Sequence, residues 1–471
     1  MVVVYEIEEL LREEFQRTVW SGPAPEDVLV ALQEPPTRAP EMIACAFLLL
    51  YAAYAIQRHH QMETGGYDLG IFEQIVRGYA AGQRPITELK APGYDALGDH
   101  FHPILALLAP LYRAFPAAET LLVAQAALIA ASIIPIGRSA VAVVGTTGGT
   151  VISVAYGLSW GLQEAVGFDF HEVCIGVPLV AMSLNRLLAG RWIAAAAWAV
   201  PLIAVKEDLP LTAAAIGVCL LIRGQRRLGA GLAAGGLLAT AVIVLWVLPA
   251  LQPDHLYVYA DQIGRSTSGW GVAPKATTLA LLLAPTVFSA LRSPLLTVAV
   301  PTLAWRFLAD NPLYWGTRFH YSAILMPIVF AAMIDAWRHR KPWPRPTVVV
   351  AGCLVVALAI TPFRPLWSMA EPGFWRTSPT VGAMRDALRL IPDGVTVAAT
   401  NTVAAQLTTR CRVRLLFLTP PERQDAQWIA ARATEFAGDD DRSRWLERLA
   451  SAGYEVVSET GALTILRRPP D

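Results

Sequence analysis

The sequence predicts a mainly α-helical, polytopic membrane protein of about eleven transmembrane helices, followed by a small α/β domain. Three observations predict it. Of 471 residues, 54% are hydrophobic and 16% charged, whereas soluble domains carry roughly 25% charged residues. Apolar runs that approach the about 20 residues needed to cross a bilayer recur between residues 41 and 361. Beyond residue 376 the pattern changes to short apolar segments separated by polar turns.

The 38 basic and 38 acidic residues cancel, which argues against a nucleic-acid protein needing a large basic surface. Cys45, Cys174, Cys219 and Cys353 lie in apolar runs and Cys411 stands alone. They read as small core residues, not as a disulfide framework.

Residues 1–40 are expected to be a cytoplasmic segment and linker. Their start is acidic (Glu6, Glu8, Glu9, Glu13, Glu14), unlike a signal peptide. Ile7, Leu11, Phe15 and Val19 recur at helical spacing, which predicts an amphipathic helix over 5–20 lying on its own protein. Gly22-Pro23-Ala24-Pro25 ends it. The expected spans within a membrane domain of 41–375 are 41–57, 119–137, 147–164, 173–188, 191–205, 208–222, 229–250, 277–291, 294–308, 320–337 and 346–361. The apolar stretch 103–115 contains Pro110 and is too short to cross, so it reads as re-entrant or interfacial.

Basic loops set the orientation. Arg223, Arg226 and Arg227 follow one span, and Arg338, Arg340, Lys341 and Arg345 another. Both loops are expected on the cytoplasmic side, together with Arg138, Arg186, Arg191 and Arg292. The N-terminus is then cytoplasmic, and residues 376–471 form an extracytoplasmic domain. Within it, 395–397 and 414–418 read as strands, 426–436 and 441–451 as helices, and 454–466 as a hairpin turning near Thr460-Gly461.

That topology sends five polar clusters to the outer face. The long first outer loop, 58–118, carries Gly66-Tyr67-Asp68-Leu69-Gly70 and Gly98-Asp99-His100-Phe101-His102. Later loops carry Asp169-Phe170-His171-Glu172, Lys206-Glu207-Asp208, and Arg318 with His320. Ionisable groups near a bilayer are costly and mark a pathway or a site. Each also has a plainer reading. Asp68 precedes an amphipathic segment and suits a helix N-cap as well as a general base. Glu73 is rotated off the face of Asp68 and is expected at a rim. Asp169, His171 and Glu172, with His100 and His102, have the donor chemistry for a divalent ion such as Mg or Mn; a hydrated loop cluster explains them too. Lys206, Glu207 and Asp208 occupy a tight turn, where Asp208 suits the cap of the next span. Arg318 offers a forked donor set that matches phosphate, or snorkels to lipid headgroups. Walker-type, Gly-x-Ser-x-Gly and His-Glu-x-x-His patterns are absent.

Tyr67-Asp68-Leu69-Gly70-Ile71-Phe72-Glu73-Gln74, His100-Phe101-His102-Pro103-Ile104, Pro110-Leu111-Tyr112, Phe170-His171-Glu172 and Lys206-Glu207-Asp208 carry a resemblance. The tail around Val397-Ala398-Ala399-Thr400 and Arg410 extends it. Over residues 60–470 the chain resembles the domain-of-unknown-function 2079 family of membrane proteins, which is grouped by fold with the GT-C type integral-membrane glycosyltransferases. The resemblance implies a GT-C-like helix arrangement in which the first outer loop carries an acidic catalytic residue, matched here by Asp68. It implies a polyprenyl-phosphate sugar as donor and a glycan, lipid or protein as extracytoplasmic acceptor. Transfer with inversion would use Asp68 as base, with Lys206, Glu207, Asp208, Arg318 and His320 binding substrate. A transporter or flippase of lipid-linked or small polar cargo is the alternative, but no internal repeat of halves supports it. A scaffold that only binds envelope glycans leaves the five polar loops unexplained.

Overall fold

The structure, a computed structural model, describes residues 37–252, 254–257, 259, 271–339 and 345–469. The helix expected over 5–20 lies outside them. Helix α1 (Ala39–His60) has Pro40 in its first turn and carries Arg58 in its last, a cation suited to the negative end of a helix dipole. Helix α2 (Ile71–Ala80) follows, then a short hairpin of β1 (Ile86–Thr87) and β2 (Tyr94–Asp95). The 103–115 stretch is a 3-10 segment, Pro103–Leu108, leading into the six-residue helix α3 (Ala109–Ala114), too short to cross a membrane.

Helices α4 (Ala118–Ala131), α5 (Ile133–Gly157) and α6 (Trp160–Gly167) follow with almost no loop. The chain reverses inside α5 at Gly145, where φ is 73°. Val141 consequently lies against Gly149, eight residues on; a straight helix would hold them about 12 Å apart. The turn between the spans expected at 119–137 and 147–164 is therefore a single left-handed glycine.

Helices α7 (Val173–Leu188), α8 (Trp192–Ala199), α9 (Leu209–Ile222) and α10 (Arg226–Val242) come next. A Cβ on Gly229 would fall 2.7 Å from the Gly217 carbonyl oxygen, so α9 and α10 touch backbone to backbone. The bundle is completed by α11 (Val272–Leu283), α12 (Val300–Leu308), the almost wholly buried α13 (Leu325–His339) and α14 (Pro346–Ile360). Among the described residues five stretches are long and apolar enough to cross a membrane: Ala39–His60, Ala118–Gly167, Arg226–Leu251, His320–Arg338 and Pro346–Phe363. Five shorter apolar helices accompany them. Four of the five cysteines are buried as expected, but Cys45 is exposed on the apolar surface of α1.

After α15 (Pro379–Leu388) the chain forms a mixed five-stranded sheet in the order β4-β3-β5-β7-β6. Its strands are β3 (Thr396–Ala399), β4 (Arg412–Leu415), β5 (Trp428–Arg432), β6 (Glu455–Thr460) and β7 (Leu463–Arg467). Strand β3 runs parallel to its neighbours β4 and β5, and β6–β7 is the hairpin expected around Thr460-Gly461. The one-turn helix α16 (Asn401–Ala404) leaves β3, and α17 (Asp439–Ser451) precedes β6. The helix expected over 426–436 is instead β5 and a 3-10 turn. Both faces of β5 are covered, and a fully buried strand has no alternation to separate it from an alanine-rich helix.

Polar pairs gather at the two ends of the bundle. At one end Arg138 bonds Glu41, Arg223 bonds Asp335, and Ser293 donates to Asp335. At the other, Arg58 meets Asp169, His100 meets Glu207, Lys206 meets Glu172 and Arg364 meets Glu164. The five clusters singled out in the sequence therefore share one end.

Candidate functional site

Asp68 sits in the turn Gly66–Gly70, between α1 and α2, with φ 76° and ψ −92°. This left-handed backbone is costly for a residue with a Cβ, by about 1–3 kcal/mol. Asp169 shares the trait, at φ 94°. Asp68 makes no helix-capping bond, and among the described residues its carboxylate has no hydrogen-bond partner. The side chain is half-buried. Burial, reinforced by the negative charges of Asp169 and Glu172, pushes its carboxyl up to about 7, against the pull of Lys206 and Lys90.

The neighbouring acids are all engaged. Asp169 accepts from Arg58 at 3.1 Å and from the Gly65 amide at 2.7 Å. Burial still pushes it up to about 7 against the Arg58 charge. Glu172 is wholly buried between His171, at 2.7 Å, and the Lys206 ammonium, at 3.3 Å. Burial opposes its charge, but His171 and Lys206 outweigh burial and hold the carboxyl well below the usual range. Lys206 is raised in return: burial disfavours the ammonium, and Glu172, Glu207 and Asp208 overcome it.

A second group lies beside the first. His100 bonds Glu207 at 2.7 Å, and the Phe101 amide donates to the other Glu207 oxygen at 3.1 Å. Burial lowers the His100 imidazole, but Glu207 reverses the sign and leaves it raised. Asp99 bonds Lys90 and accepts from Tyr94 and Tyr259. Tyr259 stacks on His100 with centroids 4.8 Å apart. The Asp99–His102 segment is not helical, so these two side chains do not share a helical face. His102 is buried with an unpartnered Nδ1, and burial pushes it down to about 4.

Asp208 occupies the N-cap position of α9 without making the cap bond. Its carboxylate accepts from the Trp305 indole at 2.8 Å, and its other oxygen is buried and unpartnered. His320 is buried against His171, with ring centroids 3.3 Å apart and both nitrogens unpartnered. Arg318 is exposed, 5.7 Å from the Phe319 ring, with no ion-pair partner among the described residues.

Several of the expected metal ligands already meet a charged partner in this arrangement. Asp169 pairs with Arg58, Glu172 with Lys206 and His100 with Glu207, while both Glu172 oxygens and His171 Nδ1 make no hydrogen bond. His102 is left with no carboxylate of its own. Among the described residues no group of three or more His, Cys, Asp or Glu side chains is placed to hold a metal.

Glu73 is the clearest correction. It is not at a rim but fully buried, accepting hydroxyl bonds from Tyr112 at 2.8 Å, Thr409 at 2.6 Å and Thr408. Helix α2 lies between the bundle and the C-terminal sheet, so the side facing away from Asp68 is covered as well. Sequence reasoning also passed over Arg58, Lys90, Tyr259 and Asn401. Arg58 directly follows the span expected over 41–57, and the others follow no spacing that points to the cluster.

A family model described as "Predicted membrane protein (DUF2079)" matches residues 58–463. No curated protein matches the chain. Among solved structures, the crystal structure of ArnT from Cupriavidus metallidurans bound to undecaprenyl phosphate is similar, with a TM-score of 0.54 and 12% identity. The match covers 91% of this chain and 97% of that one. At this identity the likeness concerns the fold: it is ArnT-like, in keeping with the GT-C resemblance.

Proposed function

The chain belongs to the DUF2079 family of predicted membrane proteins, and from that premise we propose that it is a membrane glycosyltransferase using a polyprenyl-phosphate sugar donor. The observation that carries the reading is the state of Asp68. It is the acid of this cluster that has neither a hydrogen bond nor an ion pair among the described residues, and its raised affinity for protons suits a base working near neutral pH.

In this reading the acceptor hydroxyl lies against Asp68. Its proton passes to the carboxylate as its oxygen attacks the anomeric carbon. The bond from that carbon to the donor phosphate breaks on the opposite face, which inverts the configuration. Lys206, whose ammonium Glu172 keeps charged, and exposed Arg318 take up the charge on the departing lipid phosphate. Glu207 and His100 hold the Lys206 turn against the first loop. Asp208 and His320 offer unpartnered polar atoms for sugar hydroxyls. The acceptor is a glycan, lipid or protein met on the extracytoplasmic side, where we place both the reactive end and residues 376–471.

The test is release of polyprenyl phosphate by purified protein in lipid, with a panel of polyprenyl-phosphate sugars and with Mg²⁺, Mn²⁺ or chelator present. Donor-specific release that Asp68→Asn abolishes is the expected result. Saturable donor binding without release from any donor overturns the reading in favour of a transporter.

A further inference from the structure

We propose that Asn401 is a positioning residue, seating the strained turn that bears Asp68, so that the C-terminal sheet completes the catalytic centre; this rests on the function proposed above. A left-handed, non-glycine residue persists only where its surroundings over-determine it. Here two side-chain oxygens from distant parts of the chain fix the peptides before it. The Gly65 amide donates to Asp169 Oδ2 at 2.7 Å, and the Tyr67 amide to Asn401 Oδ1 at 2.9 Å.

The fit is close. A Cβ on Gly65 would come 2.8 Å from Asn401 Nδ2, and one on Gly66 would come 2.7 Å from the Ala404 Cβ. The grip continues along α2. Gln74 donates to the Val413 carbonyl at 2.9 Å, Arg77 to the carbonyls of Thr408 and Cys411, and Glu73 takes the hydroxyls of Thr408 and Thr409.

The topology explains why the grip is there. Asn401 follows β3, the central parallel strand, and the chain leaves β3 toward β4 while β5 lies on the other side. In open α/β sheets this crevice at the carboxyl ends of the strands is where ligands sit. In this protein its own chain fills the place. Arg432, the last residue of β5, donates to the Met62 carbonyl at 2.9 Å, just ahead of the Gly65-Gly66 pair. Asn401 does not touch the reacting atoms; it acts through the Asp68 backbone.

The experiment compares Asn401→Ala with Asn401→Asp, which keeps an oxygen for the Tyr67 amide, in the full chain in lipid. Amide hydrogen exchange over residues 65–70 is expected to quicken about tenfold or more in Asn401→Ala and to stay near wild type in Asn401→Asp. Transfer kcat is expected to fall about 10–100-fold in Asn401→Ala with KM unchanged, as for a misplaced catalytic group, and to recover in Asn401→Asp. Unchanged exchange in Asn401→Ala overturns the proposal. So does faster exchange with unchanged kcat, which marks Asn401 as merely structural. If the wild type transfers sugar from no donor, the glycosyltransferase reading fails by itself, and the exchange comparison still decides whether Asn401 holds the turn.

Discussion

The Lys206 ammonium lies 3.3 Å from the Glu172 carboxylate, an acid with no solvent exposure, and Glu172 is the one ion-pair partner of Lys206 among the described residues. Removing one member of such a pair strands a buried charge, at a cost of about 3–5 kcal/mol. Glu172→Gln is therefore expected to lower the Tm by several degrees in detergent and to abolish donor binding. A variant with wild-type stability would show that the pair is not buried as described.

Asp68→Asn is expected to reduce transfer by about 10²–10⁴-fold, the usual contribution of a general base. The fold should survive, because among the described residues the carboxylate bonds to nothing that the amide would lose. Single-turnover release of polyprenyl phosphate measures the loss; turnover within a factor of two of wild type would remove Asp68 from the mechanism.

The pH dependence follows in both rate and stability. A base titrating at about 7 makes kcat/KM rise with pH through that value and level off above it. For stability the sign is opposite. Asp68 and Asp169 bind protons more tightly when folded than when unfolded, so their contribution is full below the unfolded carboxyl range, near 4, and is lost as pH rises through about 7. Asp68→Asn should therefore raise the Tm at pH 8 and change it little at pH 4. A Tm difference that is the same at both pH values would contradict the raised carboxyl.

Glu73→Ala strands three hydroxyls, from Tyr112, Thr408 and Thr409. Each buried group left without a partner costs about 1–3 kcal/mol. Glu73→Gln keeps an acceptor and should lose much less. Limited proteolysis after β3 is the readout: Glu73→Ala is expected to be cut faster than Glu73→Gln, and equal rates would refute the clamp.

Arg318→Ala should raise KM for the donor several-fold and leave the Tm alone, since the side chain is exposed and unpaired among the described residues. Donor titrations at low and high salt check this. The wild type should lose affinity with salt more steeply than the variant, because exposed charges are screened.

Much of the architecture was legible in the sequence, because long apolar runs have one physical use and basic loops fall on one side of them. Arg138, Arg223 and Arg338 indeed share the end opposite to Asp68, Asp169 and Lys206. What pattern could not give was pairing across hundreds of residues. Asp68, Asp169, Glu172 and Lys206 each stood out from the apolar background, but nothing in their spacing tells that Arg58 and Lys206 take up two acids while Asp68 is left over. Glu73 was misplaced because a helical wheel knows one buried face, and α2 has two. The 426–436 stretch was misread for a related reason: β5 is covered on both sides, so its alternation disappears.

The amide of Tyr67 and the side chain that receives it, Asn401, are separated by 334 positions in the chain. A ribosome thus makes the turn that bears Asp68 hundreds of residues before the seat for it. Throughout synthesis and membrane insertion the growing polypeptide carries its acid without the partner that shapes it. On the proposal that Asn401 seats this turn, a product halted before the sheet is finished carries Asp68 without that seat and is expected to be inactive.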